Sequence, residues 1–557
     1  MTQGNMSRRG LLKGALAVGG GGLIVAAGGG EVIAKASTLA AKNTPTPFTN
    51  LFRRPPVLMP TEQGVDEKGP FHRYRLTQCT AQANILPGLT TMIAGYNGIF
   101  PGPTIKVPQG TRSEVRIANK LPAVNPLHGK PFSTVTHLHG SASLPQYDGY
   151  ANDQTKPGEC KTYKYPNWQQ ARTLWYHDHN HMTTAQNVFS GLAAQYHLSD
   201  QYERAQLPQG EYDVPCIVSD MAFNADGTVA FDFGDNAGFM GDVIMVNGVP
   251  WPKMRVKPRV YRFRMLVASI SRSYRFALST GDPLYVVGND AGMTPVVNAV
   301  ASYRHAAAER YEILIDFRKY KPGQKIELRN LSNKNNIDFA NTGKVMQFEV
   351  VADPAGPDPY VIPKTLDLGP QPFQNRGAIE VSKLKPEMAK AHRTMRLERK
   401  HGIWTVNGET WDDVEKTNFQ RVFANPQPYD VEQWTLVNES GGWYHPLHIH
   451  LIDAKIIARN TTPDGKAHAW EGGGKDVFYL GENETVTALM QFTTGDGNAG
   501  GRYMTHCHNL IHEDNDMMIQ FAVGDVNTND PVKSDAAYHD EEPVQPVVYA
   551  PSYPLGT

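Results

Sequence analysis

The stretch HCHNLIHEDNDMM occupies residues 506–518 and contains five candidate metal ligands: His506, Cys507, His508, His512 and Met517. In a β-strand, successive side chains point to opposite faces, so the two histidines beside the cysteine share one face and the cysteine takes the other. One strand would therefore serve two metal sites that its own backbone joins. A thiolate, imidazoles and a distant thioether form the ligand set of copper electron-transfer sites, because soft sulfur and borderline nitrogen suit both copper oxidation states.

Three other His-x-His pairs follow the same period of two: His137 with His139, His177 with His179, and His448 with His450. Together with the pair around Cys507 they supply eight imidazoles, which suits three copper ions holding three, three and two imidazoles. His445 is left over and would join Cys507, His512 and Met517 in a separate site. A single pair is more often an ordinary half-buried strand segment, but four pairs beside a Cys-His-Met set predict metal binding.

Four copper ions suggest a reaction that needs four electrons. Reduction of O2 to water is such a reaction, and stopping early would release superoxide or peroxide. The ligand pattern therefore predicts an enzyme that takes electrons at the cysteine site and passes them to O2 at the histidine cluster.

Four motifs resemble those of the multicopper oxidases: HLHG at 137–140, HDH at 177–179, HPLHIH at 445–450 and HCHNLIHEDNDMM. Outside the ligands, TLWYHDH at 173–179, GDVIMVNGVPWP at 241–252, YRFRML at 261–266 and GWYHPLHIH at 442–450 are similar to the bilirubin oxidases and their bacterial laccase-like relatives. The resemblance spans about residues 70–525. It implies four copper ions, O2 as electron acceptor and a small-molecule electron donor.

Position by position, the resemblance implies a type 1 copper on His445, Cys507, His512 and Met517. It implies a type 2 copper on His137 and His448, and a type 3 pair on the remaining histidines, namely His139, His177, His179, His450, His506 and His508. His181, in HDHNHM, departs from close relatives. We expect it in a loop or at a helix start, near the cluster or the surface and not as a ligand.

Three further residues have two possible roles each. Asp148 and Glu513 match positions that the resemblance implies assist proton delivery, although orienting a ligand imidazole is an alternative and compatible role. Trp443 resembles an aromatic at the rim of the type 1 site, and core packing is the alternative. Asp178 should face away from the copper ions by alternation, where we expect a structural salt bridge.

The chain has 557 residues, which is too long for one core and suggests three domains. Short runs rich in Val, Ile, Thr, Tyr and Phe alternate with turns, and Asn-Gly recurs at 97–98, 247–248 and 407–408. With the resemblance, this predicts an all-β chain of three consecutive cupredoxin-like Greek-key β-sandwiches. We place domain 1 at 45–205, domain 2 at 206–355, a linker at 356–374, domain 3 with the type 1 copper at 375–525, and an extended tail at 526–557.

Residues 1–36 resemble a twin-arginine signal peptide, with Arg8-Arg9 before a Gly/Ala-rich apolar stretch and a cleavage site near Ser37. A membrane anchor is the alternative, but eight glycines between Gly14 and Gly30 disfavour it. We therefore expect a periplasmic or secreted protein without a membrane anchor. The formal net charge of −1 argues against nucleic-acid binding, and we expect a monomer.

Apart from Cys507, the chain contains Cys79, Cys160 and Cys216. An oxidising compartment would permit one disulfide among them, and three buried thiols are equally compatible with the sequence.

The favoured function is an exported oxidase that withdraws single electrons from phenolic, aromatic-amine or bilirubin-like tetrapyrrole donors and reduces O2 to water. A metallo-oxidase for Cu(I), Fe(II) or Mn(II) ranks second, because the 18 methionines are dispersed and form no Met-rich segment. A non-catalytic periplasmic scaffold is the third alternative, although such relatives have lost the copper ligands that this chain retains.

Overall fold

The computed structural model describes residues 23–26, 31–127, 129–232, 238–493, 500–526, 531, 535–544 and 546–551. These residues form mostly β-strands with a few short helices, which confirms the all-β prediction. The described part of the chain contains no helix with the length and apolar character needed to cross a membrane. Most of the expected signal peptide, residues 1–22 and 27–30, lies outside the described residues. Two short strands within it are β1 (Leu23–Ala26) and β2 (Glu31–Lys35).

The first sandwich contains β3 (Val57–Leu58), β4 (Glu62–Asp66), β5 (Gly69–Leu86), β6 (Leu89–Tyr96), β7 (Thr104–Pro108), β8 (Arg112–Asn119), β9 (Thr136–His139), β10 (Glu159–Tyr165), β11 (Arg172–Asp178), α1 (Thr184–Ser190), β12 (Ala193–Ser199) and α2 (Gln201–Gln206). One sheet has the strand order β3-β7-β12-β11-β9. The other contains β10-β8-β5-β4, with β6 also paired to β5. The ligand-bearing strands β9 and β11 are therefore neighbours.

The second sandwich contains β13 (Asp213–Met221), β14 (Phe239–Gly241), β15 (Val243–Val246), β16 (Val249–Pro250), β17 (Lys253–Val256), β18 (Val260–Val267), β19 (Tyr274–Leu278), β20 (Leu284–Asn289), β21 (Gly292–Val300), β22 (Tyr303–His305), β23 (Arg310–Asp316), β24 (Lys325–Asn330) and β25 (Lys344–Val350). Its sheets have the orders β16-β15-β13-β18-β23-β20-β21 and β17-β25-β24-β19-β22. Strand β14 pairs separately with β2, in parallel.

The third sandwich contains β26 (Ala391–Lys400), β27 (Ile403–Val406), α3 (Trp411–Lys416), β28 (Val431–Asn438), β29 (His445–Ile449), β30 (Asp453–Arg459), β31 (Val477–Leu480), β32 (Thr485–Gln491), β33 (Gly501–Cys507), α4 (Leu510–Asp514) and β34 (Met518–Val523). Its sheets have the orders β27-β26-β28-β32-β30 and β31-β29-β33-β34. Strands β29 and β33, which carry the other predicted ligands, are again neighbours.

Strand β18 shows how alternation builds both a core and a domain interface. Its apolar residues Tyr261, Phe263 and Met265 point into the core of domain 2. Arg262 and Arg264, on the other face, are also buried, and both pair with Glu203 of domain 1. Burying these charges is tolerated because each has a hydrogen-bonded partner. Domains 1 and 2 therefore meet across a buried ionic layer.

The three Asn-Gly pairs occupy equivalent positions. Asn97, Asn247 and Asn407 all have positive φ angles, as do the glycines that follow them. Each asparagine side-chain oxygen accepts a hydrogen bond from a main-chain N–H of a neighbouring strand, at Thr77, Ile217 and Arg396 respectively. Consecutive residues with positive φ are the signature of a tight type I′ turn. The repeat in the sequence thus corresponds to one turn built three times.

The described part of the tail lies along domain 1. Strand β35 (Tyr538–His539) pairs antiparallel with β10. Asp540 lies 2.7 Å from the Lys120 ammonium and also pairs with Arg116. The tail therefore covers the outer edge of the first sandwich.

All four cysteines carry free thiols. Of the two alternatives that the sequence leaves open, the structure has unbridged cysteines: Cys160 and Cys216 are buried, and Cys79 is half-buried.

Candidate metal centres

Eight histidines from domains 1 and 3 converge on one buried cluster. Strand register places His137 opposite His177 in domain 1, and His448 opposite His506 in domain 3. Rings from the two domains interleave, since His139 stacks on His448 with ring centroids 3.7 Å apart. The other members of the cluster are His179, His450 and His508. The structure thus brings together all eight imidazoles of the four His-x-His pairs.

Three of the cluster histidines place one ring nitrogen on a main-chain carbonyl and leave the other facing the cluster. Nδ1 of His177 contacts the carbonyl of Asp178 at 2.7 Å, and Nδ1 of His448 contacts that of Asp476 at 2.9 Å. His137 uses Nδ1 in the same way, on the carbonyl of Asp148. Within the described residues, Nε2 of these three histidines is buried and has no hydrogen-bond partner. Metal-ligating histidines show this arrangement, so the donor set fits metal ions.

Contacts within the cluster define smaller groups of nitrogens. Nε2 of His506 lies 3.1 Å from Nε2 of both His179 and His450. His137, His139 and His177 form another group, in which the ligand atoms lie within 4.8 Å of one another. Groups of three imidazoles at these separations can each hold one transition-metal ion.

The second centre lies on the other face of β33. Cys507 Sγ is 3.2 Å from His445 Nδ1 and 3.4 Å from His512 Nδ1, and the two nitrogens are 3.1 Å apart. Met517 is fully buried in the same core, and its carbonyl accepts a hydrogen bond from the Cys507 N–H at 3.1 Å. The structure therefore gathers the cysteine sulfur and both imidazoles, with the methionine beside them.

Burial favours the neutral form of His177, His179 and His445 by lowering their pKa values. It lowers the pKa of His177 to about 3, that of His179 to about 4 and that of His445 to about 3. Burial also raises the pKa of the Cys507 thiol well above its usual value. Neutral imidazoles are the form that binds metals, and a bound cation would favour the thiolate.

Asp148 and Glu513 both contact cluster histidines. Asp148 Oδ2 lies 2.7 Å from His450 Nδ1, and Glu513 Oε2 lies 2.8 Å from His506 Nδ1. Burial raises the pKa of Asp148 well above its usual range. Burial would also raise the pKa of Glu513, but interactions with His506 and His179 lower it to about 2. Two carboxyl groups in different electrostatic environments thus flank the cluster.

Asp178 differs from its expected role. Its carboxylate accepts hydrogen bonds from the Val135 N–H, the Asn180 N–H and the Asn187 side-chain amide, and the described residues place no cation against it. The predicted salt bridge is therefore wrong. The physical reason is that the face opposite the cluster packs against backbone and amide donors, which satisfy the carboxylate without a buried cation.

His181 lies in the turn before α1 and outside the cluster. Its Nδ1 is 3.4 Å from Glu415, and its Nε2 is 3.3 Å from Asp516. Both carboxylates are partly exposed. His181 therefore occupies the position near the surface that its place in the sequence predicted.

Aromatic rings surround the cysteine centre. The Trp404 ring lies 3.9 Å from that of His512, between centroids, and the Trp443 ring lies 6.2 Å from that of Trp404. Trp443 is 6% exposed and packs in the same core as Cys507. It is thus a core residue at the edge of this centre. Trp404 belongs to no motif that the sequence singles out.

Asp476 also touches the histidine cluster, and Arg310 pairs with Asp476, although neither residue lies in a ligand motif. Asp476 Oδ1 is 3.1 Å from His139 Nε2, and Arg310 donates to the same carboxylate at 2.6 Å. The Lys-Asp pair at 475–476, after three glycines, carries no local signal of such a role. Only the packing of domain 2 against domain 3 reveals it.

Two family models described as multicopper oxidase match residues 78–202 and 385–527, the regions that carry the ligands. The bilirubin oxidase of Albifimbria verrucaria is 40% identical over 444 residues, which cover 77% of this chain and 72% of that protein. The laccase of Bacillus subtilis (strain 168) is 31% identical over 526 residues, which cover 85% of this chain and 97% of that protein. McoA, a multicopper oxidase of the hyperthermophile Aquifex aeolicus, superimposes with a TM-score of 0.73 at 27% identity and covers 86% of this chain and 100% of its own.

The chain therefore belongs to the multicopper oxidase family. It is an oxidase enzyme of the laccase and bilirubin oxidase type that binds copper. The predicted family, enzyme class and cupredoxin-like fold are confirmed.

Proposed function

We propose that this protein oxidises phenolic, aromatic-amine or bilirubin-like tetrapyrrole donors, one electron at a time, and reduces O2 to water. The two relatives named bilirubin oxidase and laccase support these donors. The observation that carries the proposal is the placement of Cys507 between His506 and His508. Two imidazole nitrogens and the cysteine sulfur gather on one side of β33, and the histidine cluster lies on the other. Because covalent bonds join the two centres, an electron taken at one can reach the other.

The ligand residues fit four copper ions per chain. His445, Cys507, His512 and Met517 would hold type 1 copper, and His137 with His448 would hold type 2 copper. The six remaining histidines would hold the type 3 pair. Contacts support His179, His450 and His506 as the ligands of one type 3 ion. With His137 assigned to type 2 copper, His139, His177 and His508 are left for the other type 3 ion, and the ring centroids of His177 and His508 lie 5.1 Å apart. Bound copper would supply one-electron acceptance at the thiolate and O2 reduction at the cluster.

The protein's own groups would supply protons and orientation. Asp148 and Glu513 contact His450 and His506 directly, so each orients a ligand and holds a carboxyl group beside the place where O2 is reduced. Trp443 lies at the edge of the type 1 centre, where a donor would approach. Electron transfer from a donor at the edge of the type 1 centre needs no direct contact between the donor and the metal.

The decisive experiment combines metal analysis with steady-state kinetics. We expect four copper ions per chain, an absorption band near about 600 nm from copper–thiolate charge transfer, and O2 uptake with bilirubin and with a syringyl phenol. Faster turnover of cuprous or ferrous ion than of either organic donor would favour the metallo-oxidase alternative. Fewer than four copper ions in fully loaded protein, without the band, would overturn the proposal.

We also propose export through the twin-arginine pathway with cleavage before Ser37. Ser37 is well placed as a first residue, since its N–H and hydroxyl both contact the Asp242 carboxylate, at 2.9 and 2.6 Å. Changing Arg8 and Arg9 to lysine should retain the protein in the cytoplasm. N-terminal sequencing of the periplasmic protein should begin near Ser37, and an uncleaved exported chain would contradict this site.

A further inference from the structure

We propose that Arg310 of domain 2 is a positioning residue of the histidine cluster, acting through Asp476. Domain 2 supplies no ligand in the proposed assignment, yet this arginine joins all three domains beside the cluster. The inference rests on the proposed four-copper function and adds a role for the middle domain.

Arg310 is fully buried, and its guanidinium donates hydrogen bonds to all three domains. Nε donates to the Thr173 carbonyl of domain 1 at 3.1 Å, and Nη1 donates to the Ala308 carbonyl of its own domain at 3.2 Å. Nη1 and Nη2 both donate to the Asp476 carboxylate of domain 3, Nη1 at 2.6 Å to Oδ1. This bidentate pairing restricts the carboxylate to one orientation.

Asp476 in turn contacts two proposed ligands from different domains. Its Oδ1 lies 3.1 Å from His139 Nε2, which leaves His139 Nδ1 buried and without a partner among the described residues. Its carbonyl accepts from His448 Nδ1 at 2.9 Å, and His448 Nε2 faces inward. Asp476 therefore leaves a different ring nitrogen free in each of these stacked histidines, Nδ1 in His139 and Nε2 in His448. The reason is that its carboxylate contacts one ring and its carbonyl contacts the other.

Residues of domain 2 contact both Lys475 and Asp476 of domain 3. The Asp290 carboxylate accepts from the Asp476 N–H at 3.1 Å, from the Arg310 N–H at 2.7 Å, and lies 2.8 Å from the Lys475 ammonium. Lys475 also lies 2.8 Å from Glu309. All these groups are buried. Domain 2 therefore helps to set the position of Asp476, whose carbonyl also accepts from the Ile449 N–H of domain 3 at 3.1 Å.

Glycines allow the close approach that this contact needs. A Cβ at Gly140, the last residue of HLHG, would lie 2.5 Å from Arg310 Nη2 and 3.0 Å from Asp476 Oδ2. A Cβ at Gly474 would lie 2.6 Å from the Ala291 Cβ. The guanidinium–carboxylate pair thus sits directly against the backbone that follows His139.

The test is Arg310→Lys, which keeps the positive charge and removes the planar guanidinium group that pairs with both carboxylate oxygens. The matched control is Arg172→Lys, since buried Arg172 of domain 1 pairs with Asp453 of domain 3 at 2.6 and 2.9 Å. Among the described residues its hydrogen bonds go to Asp453 and Gln170 and to no ligand histidine. In Arg310→Lys we expect the type 1 band near about 600 nm to persist, while copper per chain falls and the type 2 EPR signal weakens. Reoxidation of the reduced enzyme by O2 should slow by about 10- to 100-fold. Arg172→Lys should keep wild-type copper content and reoxidation.

A second variant, Asp476→Asn, should show the same selective loss without removing the arginine. Equal copper content and reoxidation rates in Arg310→Lys and Arg172→Lys would overturn the inference. Parallel loss of the type 1 band and the cluster in Arg310→Lys would also overturn it, because that pattern means general destabilisation. Wild-type protein with fewer than four copper ions would instead refute the proposed function, so the two failures are distinguishable.

Discussion

At the scale of single residues, Cys507 carries the connection between the two centres. Its side chain faces His445 and His512, while its two neighbours face the opposite side of the strand. Every electron passing from a donor to O2 would cross this residue.

Cys507→Ser should therefore abolish the band near about 600 nm and all turnover while leaving the fold intact, since serine is nearly isosteric but a poor copper ligand. Absorption, O2 uptake and circular dichroism would measure these three quantities. Cys160→Ser is the matched control, because Cys160 is a buried free thiol on β10, in the sheet of domain 1 that contains neither β9 nor β11. Retained activity in Cys507→Ser would refute the copper assignment.

Asp148→Asn should preserve the type 1 band and its reduction by donor, but slow reoxidation by O2 by about 100-fold or more, since an amide cannot deliver a proton. Rapid-mixing absorbance separates the two half-reactions. Asp153→Asn, in the same segment and paired with Lys161, serves as a control away from the cluster. Equal reoxidation rates in both variants would exclude a role for Asp148 in proton delivery.

At the scale of elements, tight turns place the ligand strands. Gly149, which follows Asp148, has a φ of +84° and lies against β9. A Cβ there would lie 2.6 Å from the His137 Cα. Gly158 has a similar φ of +89°, but a Cβ there would meet nothing within 4 Å.

Both Gly149→Ala and Gly158→Ala should cost about 1–2 kcal/mol of stability from backbone strain. Only Gly149→Ala should also displace His137 and lower the copper content. Denaturation and metal analysis of the two variants test this. Full copper loading in Gly149→Ala would show that β9 tolerates the displacement.

The turn between β31 and β32 should show a pH-dependent stability. Glu484 accepts from the Gly481 N–H at 2.7 Å and from Arg459 at 2.8 Å. Burial alone raises the pKa of Glu484, but Arg459 and Arg304 outweigh it and lower the pKa to about 2 from 4.5. The folded state therefore favours the ionised form, and its stabilisation is complete above pH 4.5 and is lost as the pH falls toward 2.

Glu484→Gln should therefore lower the free energy of unfolding by about 3 kcal/mol at neutral pH and reduce its dependence on pH in the acid range. Urea denaturation at several pH values measures both effects. Glu482→Gln, in the same turn and paired with Lys334 nearer the surface, should change stability by less than about 1 kcal/mol. Equal pH dependence of Glu484→Gln and the wild type would refute the expectation.

At the scale of the whole molecule, the histidine cluster exists only where domains 1 and 3 meet. Copper bound there would hold the two domains together, because ions that bind only the folded assembly stabilise it. The cores of the three sandwiches consist mostly of apolar side chains.

Removing copper by chelation should therefore lower the melting temperature while preserving the β-sheet circular dichroism spectrum. One ion at a thousand times its dissociation constant contributes about 4 kcal/mol. Readdition of copper should restore both the melting temperature and the visible band. An unchanged melting temperature after complete removal would show that the interdomain contacts alone align the cluster.

Much of the fold and the site followed from local patterns. Alternation in β-strands placed His506 and His508 on one face of β33 and Cys507 on the other, and the ligand motifs carry this period of two directly. The Asn-Gly pairs marked equivalent turns, since consecutive residues with positive φ favour these two residue types. The sequence by itself therefore determined the ligand candidates, the all-β class and the family.

The tertiary structure decided what surrounds the ligands. Asp178 is satisfied by amides instead of a cation, and Arg310 reaches Asp476 across 166 residues of sequence. The partners of Asp178 all lie within the first sandwich, where its fold supplies main-chain and amide donors that strand alternation does not reveal. Arg310 and Asp476 come together only when separate sandwiches pack. Strand periodicity sets the face on which a side chain lies, whereas burial against another domain sets which nitrogen of an imidazole is free to bind.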